Sequence, residues 1–137
     1  MPTYLAGILI AIAVIIILSF FIKSKGRRDL GEYKEIKEKW LEIEGLMKNS
    51  SSLSWKMAVI EADKLMDSAL KEARMRGETM GERLRFSVHK YPKMQRVWEA
   101  HILRNNLVHE RDNEIDKKDA EKALALFKDG LKLLGAL

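Results

Sequence analysis

From Leu30 to the C-terminus, apolar residues return every three or four positions, and no stretch of useful length alternates. That spacing places them on one face of a 3.6-residue helix, whereas a half-buried strand needs period two. Only two prolines, Pro2 and Pro92, occur in 137 residues, so few positions interrupt a helix from within. The expectation is an all-α chain.

The N-terminus imposes a second constraint. Tyr4 to Ile22 carries no charged side chain. As a helix this run is ~28 Å long, close to the ~30 Å of a bilayer's hydrocarbon core. A single transmembrane span over 4–22 is expected, inside an anchor covering 1–25, with the lipid bilayer as its partner. A cleaved signal peptide has a basic start and a small-x-small site. Here the chain begins Met1-Pro2-Thr3-Tyr4 and the run ends Phe20-Phe21-Ile22-Lys23, so retention is expected. Gly7 and Ala11 form a small-x-x-x-small pair, a pattern that lets such helices approach.

Net charge is +5, and Lys23, Lys25, Arg27 and Arg28 all precede the first acidic residue, Asp29. This makes 26–29 a basic juxtamembrane linker and argues for a membrane-proximal patch more than a nucleic-acid groove. The positive-inside rule then puts residues 30–137 in the cytoplasm, with the N-terminus outside an inner membrane. Cysteine is absent, which excludes disulfides, thiolate metal sites and a thiol nucleophile.

Residues 30–137 are expected to form a bundle of four main helices and one short one. Leu30, Tyr33, Ile36, Trp40, Ile43 and Met47 mark the first, with Gly26 ending or loosening the helix before it. Asn49 to Ser52 makes a turn, with Ser51 or Ser52 capping a helix over about 53–75. Gly77 stops that helix. Thr79-Met80-Gly81-Glu82 has the spacing of a capping box for a short helix. Arg83, Arg85, His89 and Lys90 give this connection a basic character, read as solvated. Asp116 caps the last helix, after a charged loop from Glu110, and Asp119 sits in its first turn.

Met94 to His109 is the most apolar stretch outside the N-terminus, and its second half carries His101, Arg104, Asn105 and His109. On a helical wheel only Gln95, Glu99 and Asn106 share a plainly polar arc. The other four polar residues fall among Trp98, Ile102, Leu107 and Val108, and so point into a core or an interface. Polar groups placed there need specific partners. Asp63, one turn before Asp67 on the preceding long helix, is a candidate partner for a cation of this helix, making Asp63 and His101 binding residues of a polar network.

Arg104-Asn105-Asn106-Leu107-Val108-His109 resembles the Arg-polar-x-x-x-His signature of the HEPN superfamily, small α-helical bundles that include many prokaryotic RNases and nucleotide-associated proteins. The resemblance covers about 30–137 as architecture and six residues as motif. It implies a homodimer in which two copies of the motif meet, with RNA or a nucleotide as ligand. In the catalytic form it implies a metal-independent endoribonuclease: His109 as general acid/base, Arg104 stabilising phosphate charge and Asn105 orienting by hydrogen bonds. The sequence departs from the His-x-Tyr of toxin-like members, because Glu110 and Arg111 follow His109. No metal site is expected, since the histidines lack the ligand set zinc needs, and no cofactor motif is present. The expected function is a membrane-anchored HEPN-like interaction or nucleotide/RNA-associated module, with the endoribonuclease or a non-catalytic tethered scaffold as alternatives.

Overall fold

The computed structural model describes residues 2–109 and 114–137; within the first helix the side chains of residues 2, 3, 5 and 21–32 are outside the description. The chain is helical throughout. It contains α1 (Pro2–Leu46), α2 (Ser52–Glu72), α3 (Met80–Lys90), a 3-10 turn (Pro92–Arg96), α4 (Val97–His109) and α5 (Lys117–Leu133), and no strand occurs among the described residues. Two compact units are present, Met1–Lys34 and Glu35–Leu137.

In the first unit, α1 runs on without the break expected at Gly26. Its described apolar side chains from Ile8 to Phe20 are exposed. No helix among the described residues is long and apolar enough to cross a membrane. The expected transmembrane anchor over 4–22 is therefore corrected. Lys23, Lys25, Arg27 and Arg28, which set the expected orientation, lie outside the described side chains.

The second unit is a helical bundle. Its core is the shared face of α2 and α5: Val59, Ala62, Met66 and Leu70 against Ala123, Phe127 and Leu131, all almost completely buried. Small residues on both helices let the backbones approach. Gly130 takes this furthest, since a Cβ there would sit 2.8 Å from Val97 Cγ2 and 3.0 Å from the Met66 side chain. The C-terminal part of α1 adds Ile36, Trp40 and Ile43 to the core. Glu44 then ties α1 to α5, accepting from Lys128 Nζ at 2.6 Å and from the Trp40 indole at 2.7 Å.

The helix ends show which sequence signals operate. The capping box forms: Thr79 Oγ1 accepts from the Glu82 backbone N–H at 3.2 Å, and Glu82 returns a bond to the Thr79 N–H. Asp116 accepts from the Asp119 N–H at 2.7 Å and starts α5. Ser51 occupies the cap position of α2 without a side-chain bond, while Ser52 Oγ donates to the Ile115 carbonyl instead.

Gly77 does not end α2. That helix stops at Glu72, and Arg74 adopts a left-handed φ of 56°. Met75 N–H reaches back to the Leu70 carbonyl and Arg74 N–H to that of Lys71, the paired bonds of a Schellman ending. Helix α5 closes the same way, with Gly135 (φ +73°) in the equivalent place. Gly77 instead allows a close approach, since a Cβ would lie 2.7 Å from the Arg83 backbone N at the start of α3.

Candidate functional site

Helix α4 packs on α5 and α2 through a narrow strip, Val97, Ala100 and Leu107. The expectation of a helix buried nearly all round is thus corrected. Ile102 is 53% exposed and Val108 48% exposed. The reason is that its neighbours α5, α2, α3 and the 3-10 turn leave Ile102 and the last turn uncovered. Trp98, Ile102, Asn105 and His109, spaced four, three and four apart, share the arc turned away from α5.

Where that arc meets α2, four polar side chains join in sequence. Asp63, 5% exposed, faces α4 from the buried flank of α2. Its Oδ1 lies 2.7 Å from His101 Nδ1. His101 Nε2 is 3.3 Å from Asn105 Nδ2, and Asn105 Oδ1 accepts from Arg104 Nη1 at 3.0 Å. The loop closes on Asp63, whose Oδ2 is 3.2 Å from Arg104 Nε. That last contact has ion-pair distance without hydrogen-bond alignment, leaving the buried Nε without a hydrogen bond. The Trp98 ring stands edge-on to His101 at 5.9 Å between centroids.

One directional assignment satisfies the three hydrogen bonds of this cluster. Asp63 is an acceptor only, so His101 Nδ1 carries the proton and donates to it. Neutral His101 then offers the Nε2 lone pair, which accepts from the Asn105 amide NH2. That leaves Asn105 Oδ1 facing outward to accept from Arg104. Buried Asp63 thereby meets one hydrogen-bond donor, His101 Nδ1–H, and the Arg104 guanidinium charge at ion-pair distance, which is how a carboxylate out of water is accommodated.

One turn along α2, Asp67 makes a second junction, to α3. Arg83, 8% exposed at its side chain, grips it with Nε at 2.7 Å and Nη2 at 3.2 Å, a two-pronged pairing. Arg83 Nη1 also donates to the Gly77 carbonyl at 2.6 Å. Burial pushes the Asp67 carboxyl up, but the Arg83 and Lys71 bonds outweigh it and hold the group below the usual aspartate value. Arg83 was expected in a solvated basic connection; the structure buries it as a helix–helix tie. Only its spacing of three from inward-facing Met80 and four from buried Ser87 could have signalled this.

Of the expected site residues, Asp63, His101, Arg104 and Asn105 come together. His109 does not. It lies at the exposed end of α4, with no hydrogen bond or ion pair among the described residues. On the wheel it is ~140° round from Arg104, so within one chain the Arg and His of the motif do not converge. Glu110 and Arg111 lie outside the described residues. Three surface grooves, of about 470, 390 and 340 Å³, have linings that include none of Asp63, His101, Arg104, Asn105 and His109. No cluster of three metal-ligating side chains occurs among the described residues.

Compared with known proteins, the chain matches no family model, no curated protein and no solved structure.

Proposed function

We propose that residues 35–137 form a HEPN-like helical module that works by association, pairing with a second copy through the outward arc of α4. The observation that supports this is the composition of that arc. Ile102 stands half-exposed at its centre, flanked by Trp98, Asn105 and His109, with only three α4 side chains committed to the core. A helix that is apolar on both its inner and outer sides carries surface meant to be covered. A two-fold pairing buries the same stripe from both copies. Sedimentation velocity tests it: Ile102→Lys should convert a dimer to a monomer, while Lys118→Glu on exposed α5 should not. Monomeric wild-type protein sinks the proposal.

A second reading, a metal-independent endoribonuclease, draws on one observation. His109 lies on the same outward arc with no hydrogen bond or ion pair among the described residues, so a paired copy could bring two histidines together. It is opposed by Arg104, which is held inward by Asp63 and Asn105. Cleavage of mixed RNA, lost in His109→Ala, is the expected result of that reading; equal behaviour of both proteins refutes it.

A further inference from the structure

We propose that His101 is a proton-operated latch on Arg104: the neutral ring holds Arg104 in place through Asn105, and protonation breaks that hold. The latch itself stands on the hydrogen-bond geometry; its consequence for the outward face of α4 rests on the association reading above.

The argument follows the donors and acceptors. With His101 neutral, each contact pairs one donor with one acceptor, from Arg104 Nη1 to Asn105 Oδ1 (3.0 Å), from Asn105 Nδ2 to His101 Nε2 (3.3 Å) and from His101 Nδ1 to Asp63 Oδ1 (2.7 Å). A proton taken from solvent can add only at Nε2, since Nδ1 already carries one. Nε2–H then faces the NH2 of Asn105, two donors with no acceptor between them. If the amide turns over, Oδ1 accepts from Nε2–H, but Nδ2 now faces Arg104 Nη1, again donor to donor. In the observed geometry the amide turns its oxygen to one of these claimants and its NH2 to the other. Either the His101 or the Arg104 bond must go.

Charge favours loss of the Arg104 bond. The neutral cluster balances Asp63 against Arg104; protonation adds a second cation beside the same carboxylate. His101 keeps its 2.7 Å contact with Asp63, which gains strength as an ion pair. Arg104 makes only the 3.2 Å unaligned contact there. Its side chain is also 25% exposed, against 12% for His101, so water can receive it more readily.

Among the described residues, no other charged or titratable group is hydrogen-bonded to this cluster. From α2, the charged neighbours are Asp63 and, one turn on, Asp67, which is already engaged by Arg83 of α3 and by Lys71. From α4 itself they are Arg104, His109 at its exposed end and, on the outer surface, Glu99, which pairs with Lys122 of α5 at 3.5 Å; from α3, Arg85 and His89 line a groove with Trp98. The face that α5 turns to α4 and α2 is otherwise alanine, leucine and phenylalanine. From the 3-10 turn, the inward residue is Met94.

The test is nitrogen-detected NMR of the full chain across a pH titration. At neutral pH the His101 ring should show a protonated Nδ1 and an unprotonated Nε2. On acidification the Asn105 side-chain amide and the Arg104 guanidinium signals should shift with the same midpoint as His101. Asn105→Asp supplies acceptors for both claimants, and should raise that midpoint by about one pH unit, a ~tenfold gain in proton affinity, while leaving the Arg104 signal unmoved by acid. The proposal is overturned by an Nε2–H tautomer at neutral pH, by Arg104 signals that ignore the His101 titration, or by an Asn105→Asp midpoint at or below wild type. A dimer that persists unchanged through the titration leaves the latch standing and refutes only its link to association.

Discussion

Asp63 is the residue on which the candidate site turns. Its side chain is 5% exposed and serves both His101 and Arg104. Removing it leaves a partly buried guanidinium and an imidazole N–H without their acceptor. Asp63→Ala should therefore cost about 3 kcal/mol, measured by urea unfolding. Arg104→Ala should cost less, ~1–2 kcal/mol, because His101 still satisfies Asp63. Equal losses would show that the two contacts are not organised around the carboxylate. Two backbone positions test the packing account. Arg74 pays for its left-handed φ of 56°, so Arg74→Gly should stabilise the protein by about 1 kcal/mol, read as a rise in Tm. Gly130→Ala forces a methyl within 2.8 Å of Val97 Cγ2; it should destabilise by ~1–3 kcal/mol, and an unchanged melting point would contradict the tight α5 crossing. Asp63 was legible in the sequence because it flanks an apolar stripe at helical spacing. Arg83 was not, because a buried arginine at the edge of a basic run has the same local pattern as a solvated one.

At the scale of elements, the starts of α3 and α5 were readable because capping is local chemistry, settled by residues three apart. Thr79→Ala removes the acceptor for the Glu82 N–H and should cost about 1 kcal/mol. The end of α2 was not readable, since Arg74 in a left-handed conformation is enforced by burial of Met75 after it, a tertiary cause. Likewise α4 was recognised as a helix with misplaced polar residues, but not that Ile102 and its last turn stay uncovered; periodicity records which faces are apolar, not whether something covers them. The ties between helices also set the acid response. Lys128 and Trp40 hold the Glu44 carboxyl below its usual value, and in Asp67 the arginine and lysine bonds overcome burial to the same effect. Both groups have a folded pKa below the unfolded one, so their contribution is complete above pH ~4 and is lost as pH falls through the folded values. Denaturant midpoints should drop between pH 6 and pH 3, and Asp67→Asn should flatten that drop. An unchanged slope in Asp67→Asn would assign the acid sensitivity elsewhere.

For the molecule as a whole, helicity was legible from spacing and from the scarcity of proline. The membrane span was inferred from an uncharged run alone, and no described helix meets the length and apolarity required. The Arg-x4-His motif, read linearly, joins residues that the helix turns apart. Arg104 goes inward to Asp63 while His109 stays on the outward arc, so any joint role for them must involve two copies. That makes the α4–α4 pairing the claim most worth testing. Because the chain has no cysteine, a single introduced thiol reports its own proximity to its counterpart. Ile102→Cys, mildly oxidised at low concentration, should form a disulfide-linked dimer many times faster than Lys118→Cys on the exposed face of α5. Cross-linking of the two at equal rates, or none at Ile102, would contradict association through α4.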